Sequence, residues 1–173
     1  RLKKLIEDLL EASKASTGNV EMHMEPCDAA VMISQVVGEY QDKLQAQDIE
    51  IVVNEAKNPA NIMADGRHLW RVFDNIMSNI CKYTQDHTRV YVNVEDAGDQ
   101  VRMIFKNISK YPLNISSDEL MERFVRGDAS RNTEGHGLGL SIASSLTALM
   151  DGQLTIDIDG DLFKITVAMK KQA

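Results

Sequence analysis

The sequence predicts an α/β protein, a two-layer sandwich in which a mixed sheet carries helices on one face. Three observations predict it. Two stretches, 90–105 and 154–169, alternate apolar and polar residues around a central turn signal, as hairpins do. Segments of helical period are interspersed with them. The order of the two kinds of element lacks the strict strand–helix–strand alternation of a doubly wound parallel sheet. With 173 residues the chain can bury one real core, and with 43% apolar but only 5% aromatic residues that core is aliphatic.

Residues 1–16 read as a helix with Leu2, Leu5, Ile6, Leu9 and Leu10 on one stripe and Lys3, Lys4, Glu7, Asp8 and Glu11 opposite. Alone, the stripe has nothing to bury against, so it reads as the end of a longer helix that pairs elsewhere. Ser16-Thr17-Gly18-Asn19 breaks it and serves as a linker. Residues 20–25 alternate like an edge strand that Pro26 ends. A helix runs from an Asp28 N-cap to Gln45, with Val31, Ile33, Val36, Val37, Tyr40 and Leu44 apolar. Ile49, Ile51 and Val53 form a strand, Asn58-Pro59 a turn, and 65–85 a long helix. Val90, Val92 and Val94 pair through Ala97-Gly98-Asp99 with Val101, Met103 and Phe105. Residues 109–136 form a long connection with one short helical piece, begun by Ser116 three residues before Glu119. A helix spans 137–150, with Gly152 past its end. The last hairpin turns at Asp159-Gly160-Asp161.

A net charge of -7 argues against a nucleic-acid partner and against docking on anionic lipid. No apolar run reaches the roughly 18 residues of a membrane span. Cys27 and Cys81 stand far apart and read as free buried thiols in a reducing compartment. The chain starts inside a helical pattern without an initiator Met, as a piece of a longer protein would.

Three segments carry candidate chemistry. In Gly135-His136-Gly137-Leu138-Gly139-Leu140, alternating glycines precede a helix, which lets backbone N–H groups approach an anion at a helix N-terminus. On the 65–85 helix, Leu69, Val72, Phe73, Ile76 and Ile80 share one face, and Asn75, Asn79, Lys82 and Asp86 form a stripe bordering it. Polar residues beside a buried face, rather than opposite it, are placed to line a cleft. An Asn oxygen can ligate Mg²⁺ alongside phosphate oxygens, a Lys can reach a phosphate, and Tyr83 can offer its ring to a base. Between these segments, Arg123, Arg126 and Arg131 sit in the long connection, where an arginine-bearing lid would close over a nucleotide.

These residues resemble known motifs. Asn75-Ile76-Met77-Ser78-Asn79-Ile80-Cys81-Lys82-Tyr83 resembles the Asn box of sensor histidine kinases, Leu120-Met121-Glu122-Arg123-Phe124-Val125-Arg126-Gly127-Asp128 their Phe box, and the glycine segment their second glycine box. Leu5-Ile6-Glu7-Asp8-Leu9-Leu10 is similar to the end of their dimerisation helix. The resemblance implies a Bergerat-type ATP site, with residues 1–17 ending the helical phosphoacceptor domain and 18–173 forming the catalytic domain, lid at about 109–136. It implies Mg²⁺ on Asn79, the phosphate side of the site lined by Asn75, phosphate contacts from Lys82 and Arg126, and Tyr83 beside adenine. Gly135, Gly137 and Gly139 would supply backbone donors, with Leu138 and Leu140 beside the nucleotide. It further implies a homodimer anchored in the bacterial membrane with this domain in the cytoplasm, this piece alone being a monomer, and a response regulator as phosphate acceptor.

Two departures stand out. The family carries an Asp-x-Gly-x-Gly box after the central hairpin, and here Phe105-Lys106-Asn107-Ile108-Ser109-Lys110 puts Asn107 where the Asp belongs, without the glycines. Asn107 can still accept a hydrogen bond from the adenine amine, without charge. His23, His68, His87 and His136 are the only histidines and none sits in a phosphoacceptor setting, so this chain binds ATP without phosphorylating itself. Two other readings stand beside the kinase: a degenerate nucleotide-binding scaffold, and an ATPase of the Hsp90 or MutL sort. The last needs a catalytic Glu ahead of the helical asparagines, where this chain has Arg71 and Asp74.

Overall fold

The fold is described from a computed structural model for residues 1–113, 116, 118–120 and 138–172. Its elements in chain order are α1 (Leu2–Thr17), β1 (Glu25–Asp28), α2 (Ala29–Gln45), β2 (Glu50–Asn54), β3 (Asn61–Ala64), α3 (Gly66–Tyr83), β4 (Arg89–Asp96), β5 (Gln100–Ile108), α4 (Leu138–Leu149), β6 (Gln153–Asp159) and β7 (Leu162–Lys170).

Five strands form one mixed sheet in the order β2-β4-β5-β7-β6, with β2 parallel to β4 and every other pair antiparallel. Alternation decides its faces. Val90, Val92, Val101, Met103, Phe105, Ile165 and Val167 are buried beneath the helices, whereas Arg89, Tyr91 and Arg102 on the other face are exposed. The expected sandwich is thus present.

The helix ends follow their capping residues. Asp28 accepts from the Ala30 and Val31 amides and Asp65 from those of Arg67 and His68, which starts α2 and α3 at the expected residues. Gly18, at φ 74°, closes α1 in the left-handed conformation, with its amide on Ala15 O and that of Asn19 on Lys14 O. Ser116 Oγ accepts from Glu119 N at 3.2 Å, the expected cap of the short helical piece.

Some expectations need correction. The first strand is not 20–25 but Glu25–Asp28, with Pro26 inside it. Proline is tolerated there because β1 pairs on one side only, with β3. That partner β3 was not foreseen, since four residues are too few to show a period. Val31 is half exposed, on the outer side of α2. Gly152 does not supply the left-handed residue after α4; Asp151 does, at φ 60°. Gly152 is needed for space instead, because a Cβ there would lie 2.8 Å from the Ala168 carbonyl oxygen and collide with the Met169 sulfur.

Helix α1 also finds partners within the chain. It packs on α4, with Ala15 buried and Leu5 and Ala12 against the core, while Leu2, Ile6, Leu9 and Leu10 remain exposed. Asp8 and Glu11 are not a free polar side. Arg71 of α3 binds both, at 3.0 Å and 2.8 Å.

Candidate functional site

The site is built on α3, whose buried face holds Leu69, Val72, Phe73, Ile76, Met77 and Ile80 against the sheet. That packing fixes the rotation of the helix and therefore the direction of its border residues. Asn75 is 8% exposed, Asn79 is half-buried and Lys82 is exposed, so the stripe climbs from the interior to the surface within two turns. Asp86 lies beyond the end of α3, which stops at Tyr83 rather than Gln85, and is exposed.

Helix α4 approaches this stripe with its first turn. A Cβ built on Gly139 would sit 3.7 Å from Asn75 Oδ1, so the glycine backbone lies directly against the asparagine side chain. The structure thus brings together two segments that the sequence separates by more than sixty residues. Leu138 and Leu140, flanking Gly139, are buried in the hydrophobic core and hold α4 in this position. Gly135 and Gly137, like Arg123, Arg126 and Arg131, lie outside the described residues.

Asn75 carries the chief electrostatic feature. Its Nδ2 is buried and has no hydrogen-bond partner among the described residues. An unsatisfied buried donor costs about 1–3 kcal/mol, which an acceptor on a bound ligand would relieve. The adjoining N-terminal turn of α4 contributes further backbone donors and partial positive charge. Backbone donors beside a buried amide suit an acceptor-rich anion, and phosphate is the obvious one.

The end of β5 meets the far end of α3. Asn107 is 4% exposed and pairs in register with Phe163. Ser109 and Tyr111 hold the two positions that are glycine in the motif. Ser109 Oγ donates to the Tyr111 carbonyl at 2.7 Å and accepts from its amide at 3.2 Å, while Ser109 N donates to Asp161 O at 2.8 Å. Tyr83, half-buried, accepts from Lys110 N through its carbonyl at 2.9 Å and so ties the end of α3 to this strand. Two buried polar residues here, Thr84 and Ser109, were not singled out in the sequence. Their only signal is position, directly after the Asn box and at a missing glycine.

The other border of α3 is structural. Arg71 meets Asp8, Glu11 and Asp74, and Asp74 Oδ1 accepts from the Tyr40 hydroxyl at 2.5 Å. Burial works against the Arg71 charge, but Glu11, Asp8 and Asp74 more than offset it and raise its pKa. Burial and the Asp74 hydrogen bond push the Tyr40 hydroxyl upward. Asp74 is therefore committed to α2 and Arg71, which removes the group that a water-activating ATPase would need there. Among the described residues no cluster of three His, Cys, Asp or Glu side chains could hold a metal by itself. One Asn oxygen with phosphate oxygens and waters is the kind of donor set Mg²⁺ accepts. Cys27 and Cys81 are free, as expected, but only partly buried. Among the described residues no helix is long and apolar enough to cross a membrane.

Comparison with known proteins agrees with this geometry. The chain is 28% identical over 173 residues to the probable sensor protein PcoS of Escherichia coli, covering 98% of this chain and 36% of that protein. It is 28% identical over 156 residues to the sensor protein VanS of Enterococcus faecium, covering 89% of this chain and 40% of VanS. The chain thus spans well under half the length of these relatives. Its fold matches the Acinetobacter baumannii histidine kinase AdeS at a TM-score of 0.79 and 17% identity, over 99% of this chain and 79% of that one. The catalytic domain of the histidine kinase ThkA matches at 0.77 and 20% identity, over 87% of this chain and 97% of that one. Residues 64–172, which hold α3, β5 and α4, match the family model described as histidine kinase-, DNA gyrase B-, and HSP90-like ATPase. The chain belongs to that ATPase family, as an ATP-binding catalytic domain of the sensor histidine kinase type.

Proposed function

We propose that the chain binds Mg·ATP between α3 and the first turn of α4 and presents the γ-phosphate to a histidine of an adjacent helical domain. The phosphoryl group then passes to an aspartate of a response regulator. The buried Asn75 Nδ2, without a hydrogen-bond partner among the described residues and beside Gly139, is the observation that carries this reading. In it, Asn75 lines the phosphate side, Asn79 holds the metal, Lys82 and Arg126 neutralise phosphate charge, and Gly135, Gly137 and Gly139 lend backbone donors. Tyr83 packs beside adenine and Asn107 accepts from its amine. When bound, Mg²⁺ supplies charge neutralisation on the phosphates. What the protein adds is position: α3 and α4 are locked by a shared core, so their donors are pre-oriented before the nucleotide arrives.

The whole protein in this reading is a membrane-anchored dimer. Residues 1–17 end its dimerisation helix, 18–173 form the catalytic domain, and 109–136 form its lid. The exposed Leu2, Ile6, Leu9 and Leu10 support a partner for α1 beyond this chain.

Calorimetric titration with ATP, with and without Mg²⁺, tests the reading. Saturable, Mg²⁺-dependent binding is expected, weakened at least about tenfold in Asn79→Ala, the loss of a group bonded to a charged partner. Absence of binding at millimolar ATP overturns the reading and makes the scaffold the better one.

A further inference from the structure

Beyond the phosphate end, the far end of α3 is stitched to the end of β5. Gln85 N donates to Ile108 O at 2.8 Å, and Lys110 N donates to Tyr83 O at 2.9 Å. Thr84 and Ser109 are the antiparallel pair between those two bonds. In a pair of this kind the side chains share one face and lie close together. Asn107, two residues earlier along the same strand, points to that face as well. All three are buried: Thr84 fully, Asn107 and Ser109 nearly so.

Their hydrogen bonding differs. The Ser109 hydroxyl is spent on the backbone of Tyr111. The Thr84 hydroxyl has no partner among the described residues. A buried hydroxyl without a partner is destabilising in the free protein, and nothing in the helix end requires it, since the Thr84 amide already bonds Ile80 O. Valine would fill the same space without that cost. A hydroxyl kept at such a place, beside a buried amide that is also uncharged, has the chemistry of a reader of ligand edges.

We infer that Thr84 Oγ and the Asn107 amide together contact the edge of the purine base, and that the pair accepts 6-amino and 6-oxo purines alike. The inference rests on the nucleotide reading proposed above. Its second half follows from donor and acceptor counts. A carboxylate in place of Asn107 could only accept, which suits a 6-amino group and repels a 6-oxo group. An amide offers Oδ1 to an amine or Nδ2 to a carbonyl, and a hydroxyl donates or accepts by rotation. The chain therefore reads the base by shape and stacking more than by the sense of one hydrogen bond.

Calorimetry with ADP and GDP in the presence of Mg²⁺, beside thermal melts of the free protein, tests this. The protein should bind both nucleotides with affinities within about tenfold of each other. Thr84→Val should weaken both by about three- to tenfold while its free melting temperature stays level or rises. Asn107→Asp should widen the preference for ADP. Unchanged binding in Thr84→Val, a lowered melting temperature that reveals a structural partner for the hydroxyl, or rejection of GDP by more than about a hundredfold would each overturn the inference. If neither nucleotide binds the unaltered protein, or Asn79→Ala leaves binding intact, the nucleotide reading itself has failed and this inference falls with it.

Discussion

Helix α3 has polar side chains on both borders of its buried face, and the two borders use them oppositely. On one, Arg71 and Asp74 are bonded outward to Asp8 and Glu11 of α1 and to Tyr40 of α2. On the other, Asn75 is more deeply buried than either, and its Nδ2 has no partner among the described residues. The charged border would be the natural guess for an ATP site, yet its charges are consumed by the fold. The neutral border holds the group whose hydrogen bonding is incomplete. What distinguishes the two borders is hydrogen-bond satisfaction among the described residues, not charge.

The largest expected effect breaks the comparison at Asn75. Asn75→Leu removes the orphaned donor, so the free protein should lose less than about 1 kcal/mol of stability. Nucleotide affinity should fall by at least about tenfold, because leucine offers nothing to phosphate and crowds Gly139. Urea denaturation and ATP titration of the same sample measure the two effects. A large loss of stability with intact binding would place Asn75 among the structural residues.

Arg71→Met should give the reverse. It leaves Asp8, Glu11 and Asp74 without their shared cation, at 17%, 31% and 35% side-chain exposure respectively, so the loss is moderated by solvent. About 1–2 kcal/mol of stability should disappear, and hydrogen exchange across α1 should accelerate, with ATP affinity unchanged. The destabilisation should shrink at high salt, since the unaltered cluster is itself screened. An ATP affinity that falls with α1 protection intact would mean that Arg71 belongs to the site.

Much of this was legible in the sequence, and the unread parts share a cause. The core face of α3 and its neutral border follow from the period of Leu69, Val72, Phe73, Ile76 and Ile80 with Asn75 and Asn79 beside them. The hairpins follow from alternation, and the starts of α2 and α3 from Asp28 and Asp65. Partnership is what a single stretch of sequence does not show. Arg71 finds Glu11 some sixty residues away, and α1, read as having nothing to bury against, finds α4. Thr84 looks like an ordinary helix end until Ser109 is placed opposite it. Gly152 looks like a helix stop until Met169 and the Ala168 carbonyl are seen to occupy the space of its missing side chain.

The smallest expected effect sharpens the comparison at the start of the same helix, where a carboxylate takes its hydrogen bonds from backbone amides. Asp65 is 5% exposed and accepts from Arg67 N and His68 N through one oxygen and from His23 N, at 2.8 Å, through the other. Burial alone would raise its pKa, but these amides and the neighbouring His68 more than offset burial and hold it below the ordinary 3.8. A carboxylate whose pKa is lowered by folding contributes stability that is fully present above its unfolded value and is lost as pH falls through its folded one. Asp65→Asn keeps the cap but not the charge, so it should cost about 0.5–1 kcal/mol near pH 7. Below pH 3.8 that cost should fade as the native carboxylate takes up its proton. Urea denaturation of both proteins between pH 7 and pH 2.5 isolates Asp65 together with its interaction with His68, because the other carboxylates cancel in the difference. A gap that stays constant with pH would show that Asp65 acts by shape alone. A gap that closes would show that at this helix start the charge itself is held in place by the fold, in contrast to the neutral Asn75 amide, whose proposed partner is the ligand.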